Sequence, residues 1–227
     1  MGAMHFGTEF WALAALGIAA AAGYGGYFLR RPPTLLRALV KTLFMAAGAG
    51  ALISAGAPFP LVAAVSLSAA GDFFLAFDKK WLLPFGILSF LIAQLAYLAI
   101  FLAIWFFSGD NSPLWPRYAA MGLVILTAMG FLIWMGPKLG WMALGVVPYA
   151  IAITAMGVAA MWMPWMAWPA IIGALLFLTS DFVLAAELFR LPEESPVRSI
   201  TAPVVWWTYA AAQVLIVTGI TLWAIAY

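Results

Sequence analysis

Three ionisable side chains, Lys41, Asp72 and Asp181, fall inside apolar segments long enough to cross a bilayer. A charged group at the centre of a bilayer costs roughly 2.5–3.5 kcal/mol on insertion scales, so such groups face the protein interior and usually mark a functional site. Two carboxylates in one dry pocket do not both ionise readily, and a nearby lysine keeps one of them charged. The set is suited to acid-catalysed hydrolysis, and it is equally suited to a proton relay in a transporter.

Further polar or amphipathic side chains fall at helical spacing in the same segments. Gln94 and Tyr97 are three residues apart, and Tyr209 and Gln213 are four apart, so each pair lies on one face of a helix. Side chains of this kind either join helices or contact a substrate. The candidate site residues, for hydrolysis or for proton transfer, are Asp72 and Asp181 together with Lys41, Gln94, Tyr97, Tyr149, Trp206, Tyr209 and Gln213.

Composition predicts the elements that position these side chains. The chain has 227 residues, of which 67% are hydrophobic and 8% are charged. A soluble domain carries about 25% charged residues, so lipid must surround most of this protein. We predict one all-α integral membrane domain over residues 1–227, a bundle of about eight transmembrane helices, because lipid offers the backbone no hydrogen-bond partner. The predicted segments are Phe10–Leu29, Leu35–Ala55, Pro60–Phe77, Leu82–Phe107, Tyr118–Met135, Trp141–Trp162, Pro169–Phe189 and Ala202–Ala226.

Basic residues predict the orientation of this bundle. Eight lie in or beside the connections after odd-numbered segments, whereas Arg117 alone lies on the other side. Because cytoplasmic loops carry the excess of Lys and Arg, both termini are predicted to be extracytoplasmic, in a bacterial inner membrane. The eight are Arg30, Arg31, Arg37, Lys79, Lys80, Lys138, Arg190 and Arg198.

The predicted orientation gives the three ionisable groups a common depth. Asp72 is six residues before Asp78, and Asp181 is nine residues before Arg190, so they lie roughly 9 Å and 13 Å inward from the cytoplasmic side. We therefore expect Asp72 and Asp181 to line one cavity in the cytoplasmic half of the bundle, with Lys41 close to at least one of them. Glu187 points to a different face and is expected at the interface near Arg190.

A short sequence echo indicates an internal duplication. Residues 71–76 read GDFFLA and residues 180–185 read SDFVLA, with their aspartates 109 residues apart. Each copy ends a helix that runs in the same direction, and each following helix carries a Tyr and a Gln. We predict two four-helix parallel repeats, residues 10–107 and 118–226, with Asp72 and Asp181 in corresponding positions.

Several classes of function are disfavoured by what the sequence lacks. There is no cysteine, and the single histidine, His5, lies near the N-terminus, so neither a thiol nucleophile nor a metal site built from imidazoles is expected. A formal net charge of +2 does not indicate a nucleic-acid partner. No cofactor is predicted, because the chain contains no Walker-type loop and no other cofactor-binding motif. Oligomeric state cannot be read from the sequence.

Four runs and one lysine, in order along the chain, resemble the YhhN-like lysoplasmalogenase family. The runs are Gly71–Leu75 (GDFFL), Phe90–Tyr97 (FLIAQLAY), Gly173–Asp181 (GALLFLTSD) and Tyr209–Gln213 (YAAAQ), and Lys41 precedes them. The resemblance covers the second to the eighth predicted helices. Relatives often carry histidine where this chain has Gln94.

The resemblance implies an enzyme that hydrolyses the vinyl ether bond of a lysoplasmalogen. The products would be a fatty aldehyde and a glycerophospho-headgroup. On this interpretation Asp72 and Asp181 are the catalytic acid and base, and the substrate is a lysophospholipid that enters from the surrounding lipid. The substrate-binding residues would be Lys41, Gln94, Tyr97, Tyr149, Trp206, Tyr209 and Gln213. The alternatives are a transporter of a small molecule, a lipid or protons, and a lipid-binding protein without catalytic activity.

Overall fold

The computed structural model describes residues 4–77, 79–108, 115–192 and 194–226, and within these ranges the regular secondary structure is entirely helical. Asp78, the connection 109–114 and Glu193 therefore lie outside the described residues. The eight α-helices of the described ranges are α1 (Thr8–Gly26), α2 (Leu35–Ser54), α3 (Phe59–Leu75), α4 (Leu83–Ser108), α5 (Trp115–Leu139), α6 (Ala143–Ala160), α7 (Trp168–Phe189) and α8 (Arg198–Ala226).

These helices confirm an all-α membrane protein. Six apolar helical stretches of the described residues are long enough to cross a bilayer, and α3, with 17 residues, is shorter. One of the six is the continuous stretch Trp115–Ala160, 46 residues long, in which a short 3-10 turn starting at Gly140 separates α5 from α6. Gly140 has a φ of +52°, a conformation that glycine adopts without steric cost. The chain is an integral membrane protein; the number of crossings and the duplication stay predictions.

Local sequence explains where several helices begin. The side chain of Thr34 accepts a hydrogen bond from the backbone N–H of Arg37 at 3.2 Å and so caps α2. Pro60 and Pro169 lie in the first turns of α3 and α7, where a missing N–H leaves no helical bond unmade. The predicted start at Ala202 was wrong for α8, because that helix begins at Arg198 and contains Pro203.

The chain forms two compact units, residues 1–97 and 98–227, and the boundary falls within α4. In the first unit α1 packs on α2 and α2 packs on α3. In the second unit α7 packs on α8 and α6 packs on both α5 and α7. A Cβ on Gly173 would lie 2.8 Å from the Ala212 carbonyl oxygen, so glycine allows the close approach of α7 and α8 that is typical of membrane helices.

Candidate functional site

In the first unit, Lys41 and Asp72 form an ion pair between α2 and α3. Lys41 Nζ lies 3.5 Å from Asp72 Oδ1, and Asp72 is only 1% exposed. The two charges compensate each other in a place where either alone would be expensive to bury. The structure thus places Lys41 beside one of the two predicted catalytic carboxylates.

Two residues outside the predicted set, Tyr24 of α1 and Arg37 of α2, join this pair. The Arg37 guanidinium donates a hydrogen bond to the Tyr24 hydroxyl at 3.4 Å, and Lys41 Nζ lies 5.9 Å from the centre of the Tyr24 ring. Tyr24 is 3% exposed and Arg37 is 8% exposed. In the sequence, Arg37 was considered only as one of the basic residues that predict orientation. Its spacing of four residues from Lys41 was the signal that could have placed both on one helix face.

The fourth helix brings Gln94 and Tyr97 into the interior of the same unit. Tyr97 is fully buried, and its side chain is hydrogen-bonded to that of Ser68 on α3. Ser68 also donates a hydrogen bond to the Ala64 carbonyl at 2.9 Å. Gln94 is fully buried as well, and neither its amide nitrogen nor its amide oxygen has a hydrogen-bond partner among the described residues.

In the second unit, Asp181 of α7 accepts a hydrogen bond from the Tyr149 hydroxyl of α6. Both residues are half-buried. Tyr149 follows Pro148, which lies inside α6. A neutral phenol is thus one partner of Asp181, and a lysine ammonium group is one partner of Asp72.

The remaining predicted residues lie where α8 packs on α7. The rings of Trp206 and Tyr209 are 5.9 Å apart, and Tyr209 also meets Phe177 of α7 edge-on at 5.5 Å. Trp206, Tyr209 and Gln213 are all buried. The Tyr209–Phe177 contact joins the two helices, and a role in substrate binding stays a prediction for all three residues.

Glu187 lies in a separate cluster at the end of α7, where it bonds to α8. Its Oε1 lies 3.3 Å from the Arg198 guanidinium, and its Oε2 accepts a hydrogen bond from Thr201 at 2.7 Å. Glu187 is thus bonded to Arg198 and Thr201, and the expectation that it lies near Arg190 stays a prediction. The Arg190 guanidinium lies 4.8 Å from the centre of the Trp134 ring. Arg198, at the start of α8, faces the end of α7.

The charged groups of the described residues do not form a metal site. No group of three or more His, Cys, Asp or Glu side chains in these ranges is arranged to hold a metal ion.

All the predicted site residues lie within one segment shared with known proteins. A family model described as the YhhN family matches residues 34–220. The chain belongs to the YhhN family. This YhhN protein is 32% identical over 215 residues to a protein named "Lysoplasmalogenase" from Mycobacterium bovis, an alignment covering 86% of this chain and 78% of the relative. A Mycobacterium tuberculosis protein with the same name gives the same identity and coverage. No solved structure matches this YhhN protein.

Proposed function

We propose that this protein is a lysoplasmalogenase, a membrane hydrolase that cleaves the vinyl ether bond of a lysoplasmalogen. The observation that carries the proposal is the 32% identity, over most of both chains, to two proteins with that name. The intramembrane positions of Asp72 and Asp181 support it, because hydrolysis of a vinyl ether needs a proton donor and a group that accepts a proton from water.

Protonation of the vinyl ether is the first step of the proposed reaction. An acid delivers a proton to the vinyl carbon that is not bonded to oxygen, and the other vinyl carbon becomes part of an oxocarbenium ion. Water then adds to this cationic carbon and gives up a proton to a base. The resulting hemiacetal breaks down to a fatty aldehyde and the alcohol of the glycerophospho-headgroup. During this breakdown the carboxylate left by the acid takes the hemiacetal hydroxyl proton, and the base, now protonated, gives its proton to the departing glycerol oxygen. The net reaction therefore consumes one water molecule and restores both groups, comparable to the paired carboxylates of glycoside hydrolysis.

The two aspartates are suited to different parts of this reaction. The Lys41 ammonium compensates a charge on Asp72, so in this proposal Asp72 stays ionised, steadies the oxocarbenium ion and accepts the proton from water. Asp181, whose donor is the neutral Tyr149 hydroxyl, delivers the proton to the vinyl carbon.

The proposed substrate is a single-tailed lysophospholipid that enters from the bilayer. Lys41 and Arg37 carry positive charge near Asp72, and a phosphate headgroup would be attracted to them. We further propose that the chain crosses a bacterial inner membrane eight times with both termini outside the cytoplasm, since eight basic residues lie on one side of the predicted topology. Reporter fusions at the C-terminus test this orientation, and a reporter active only in the cytoplasm would contradict it.

Release of aldehyde from a purified lipid tests the activity. Purified protein is incubated with a lysoplasmenyl phospholipid, and the matched control is the alkyl ether lysolipid that lacks the double bond. We expect aldehyde from the vinyl ether alone, because the alkyl ether cannot form the oxocarbenium ion by protonation. Absence of aldehyde from a folded protein that binds both lipids would overturn the proposed function.

A further inference from the structure

Gln94 has a buried polar side chain without the hydrogen bonds that such a group needs. It is fully buried in α4, and both ends of its amide are without a partner among the described residues. Each buried donor or acceptor left unsatisfied costs about 1–3 kcal/mol. A side chain retained at this cost is a candidate for binding a group that is not part of the protein.

Contacts between α3 and α4 show which part of α3 Gln94 faces. A Cβ on Gly86 would lie 2.5 Å from the Leu75 side chain, and a Cβ on Gly71 would lie 2.5 Å from the Phe90 ring. One turn further along α3, the side chain of Ser68 is bonded to that of Tyr97.

The two helices therefore run antiparallel, and Gln94 faces α3 between Ser68 and Gly71. Phe90, Gln94 and Tyr97 follow the spacing i, i+4, i+7 that places residues on one face of a helix. Asp72 is adjacent to Gly71 and one turn after Ser68, so it shares this part of α3. This spacing puts Gln94 at the level of α3 that carries Asp72, the partner of Lys41.

The chemistry of the amide defines the group that it would bind. A glutamine amide offers an acceptor oxygen and a donor nitrogen, so a single partner that satisfies both must itself donate and accept. A hydroxyl group or a water molecule has this property, whereas a phosphate oxygen only accepts and an ammonium group only donates. The Ser68 hydroxyl is already bonded to Ala64 and Tyr97.

We propose that Gln94 binds a hydroxyl group that belongs to one of the two reactants, the lipid or water, at a position beside Asp72. This inference rests on the proposed function and names the part of the substrate that Gln94 recognises. Two sources share the required chemistry: the free hydroxyl on the central glycerol carbon of a lysolipid, and the water molecule that adds to the oxocarbenium ion. The lipid hydroxyl would make Gln94 a specificity residue, since a lipid with a second acyl chain lacks that hydroxyl.

Binding of two alkyl ether lysolipids that cannot be hydrolysed tests the first source. One carries the central hydroxyl and the other carries a methoxy group in its place. We expect wild-type protein to bind the hydroxyl lipid at least about tenfold more tightly, the size expected for a buried hydrogen bond. Gln94→Met, which has similar volume, should bind both lipids equally. Ser89→Ala, a loss of a buried polar group elsewhere on α4, should keep the preference.

Turnover of the corresponding vinyl ether lipids tests the second source. If Gln94 holds water, wild type and Gln94→Met bind both alkyl lipids equally, but the variant releases aldehyde from both vinyl ethers at least about tenfold more slowly. Gln94→Met with wild-type lipid preference and wild-type turnover would overturn the inference. If that variant does not fold, Gln94→Leu is measured in the same way. Wild type without any aldehyde release would remove the proposed function, whereas the binding comparison would still test Gln94.

Discussion

Asp72 and Asp181 lie in similar sequence runs, yet different side chains are bonded to them in the structure. Asp72 is buried and lies 3.5 Å from a lysine ammonium group, whereas Asp181 is half-buried and accepts a hydrogen bond from a tyrosine hydroxyl. An ammonium group compensates a full negative charge in a low-dielectric environment, and a phenol compensates it less. On this ground we propose different roles for two carboxylates of one chemical type, with Asp72 as the ionised group and Asp181 as the proton donor.

Removal of either carboxylate should have the largest effect on activity. We expect Asp72→Asn and Asp181→Asn each to lower turnover at least about 100-fold, the lower range for losing a general acid or base. Both variants should bind the alkyl lysolipid, because asparagine keeps the shape of the side chain. Asp72→Asn should also lower thermal stability, because it leaves the Lys41 ammonium without its paired carboxylate. Single-turnover aldehyde release, measured beside thermal stability in detergent, gives the result.

The matched control is Glu194→Gln, a loss of one exposed carboxylate in the connection before α8. It should keep wild-type turnover. Full activity in either asparagine variant would remove that aspartate from the mechanism, and loss of folding without a separate effect on catalysis would favour a purely structural role.

The next effect should appear in the stability of the first unit. Lys41→Met removes the ammonium group that is paired with Asp72, and breaking a buried ion pair in this way costs about 3–5 kcal/mol. The double variant Lys41→Met with Asp72→Leu should recover most of that loss, because no charge is then left uncompensated. Denaturation in detergent measures the free energy of unfolding. Unchanged stability in Lys41→Met would show that Asp72 does not carry a charge that depends on Lys41.

A smaller effect is expected at the partner of Asp181. Tyr149→Phe removes one hydrogen bond of about 1 kcal/mol, which corresponds to roughly a fivefold loss of turnover. Tyr118→Phe, at an exposed tyrosine of α5, is the control and should be neutral. A loss as large as that of Asp181→Asn would place the Tyr149 hydroxyl in the chemistry itself, and wild-type turnover would show that it does not position Asp181.

The smallest effect should be found at the other acid of α7. Glu187 bonds to Arg198 and Thr201, which tie the end of α7 to the start of α8. Glu187→Gln should lower the free energy of unfolding by at most about 1 kcal/mol, because the pair is partly exposed, and it should leave turnover unchanged. A large loss of turnover with unchanged stability would extend the site to Glu187 and weaken the contrast with Asp181.

The sequence predicted the helical segments and the main charged groups because lipid leaves few alternatives. Apolar runs of this length must form helices, and an ionisable residue inside one must find a partner, so Lys41 and Asp72 could be singled out without a structure. The helix starts were less predictable. Pro203 suggested a start near Ala202, whereas α8 begins at Arg198, whose guanidinium donates a hydrogen bond to the Glu187 carbonyl at the end of α7.

Contacts between distant parts of the chain could not be predicted in the same way. Tyr24 is 17 residues before Lys41 on another helix, and nothing in the composition of α1 distinguishes it from an interfacial tyrosine. The pairing of Glu187 with Arg198 depends on how the chain turns between α7 and α8. The difference between the partners of Asp72 and Asp181 depends likewise on the packing of α2 on α3 and of α6 on α7.

Infrared difference spectroscopy of the carboxyl groups tests the division of roles most directly. A protonated carboxyl group shows a carbonyl stretch that an ionised carboxylate lacks. The spectra of wild type, Asp72→Asn and Asp181→Asn are compared at neutral pH with the alkyl lysolipid bound. If Asp181 is the protonated group, we predict that this band is present in wild type, retained in Asp72→Asn and lost in Asp181→Asn. Loss of the band in Asp72→Asn, with retention in Asp181→Asn, would contradict it.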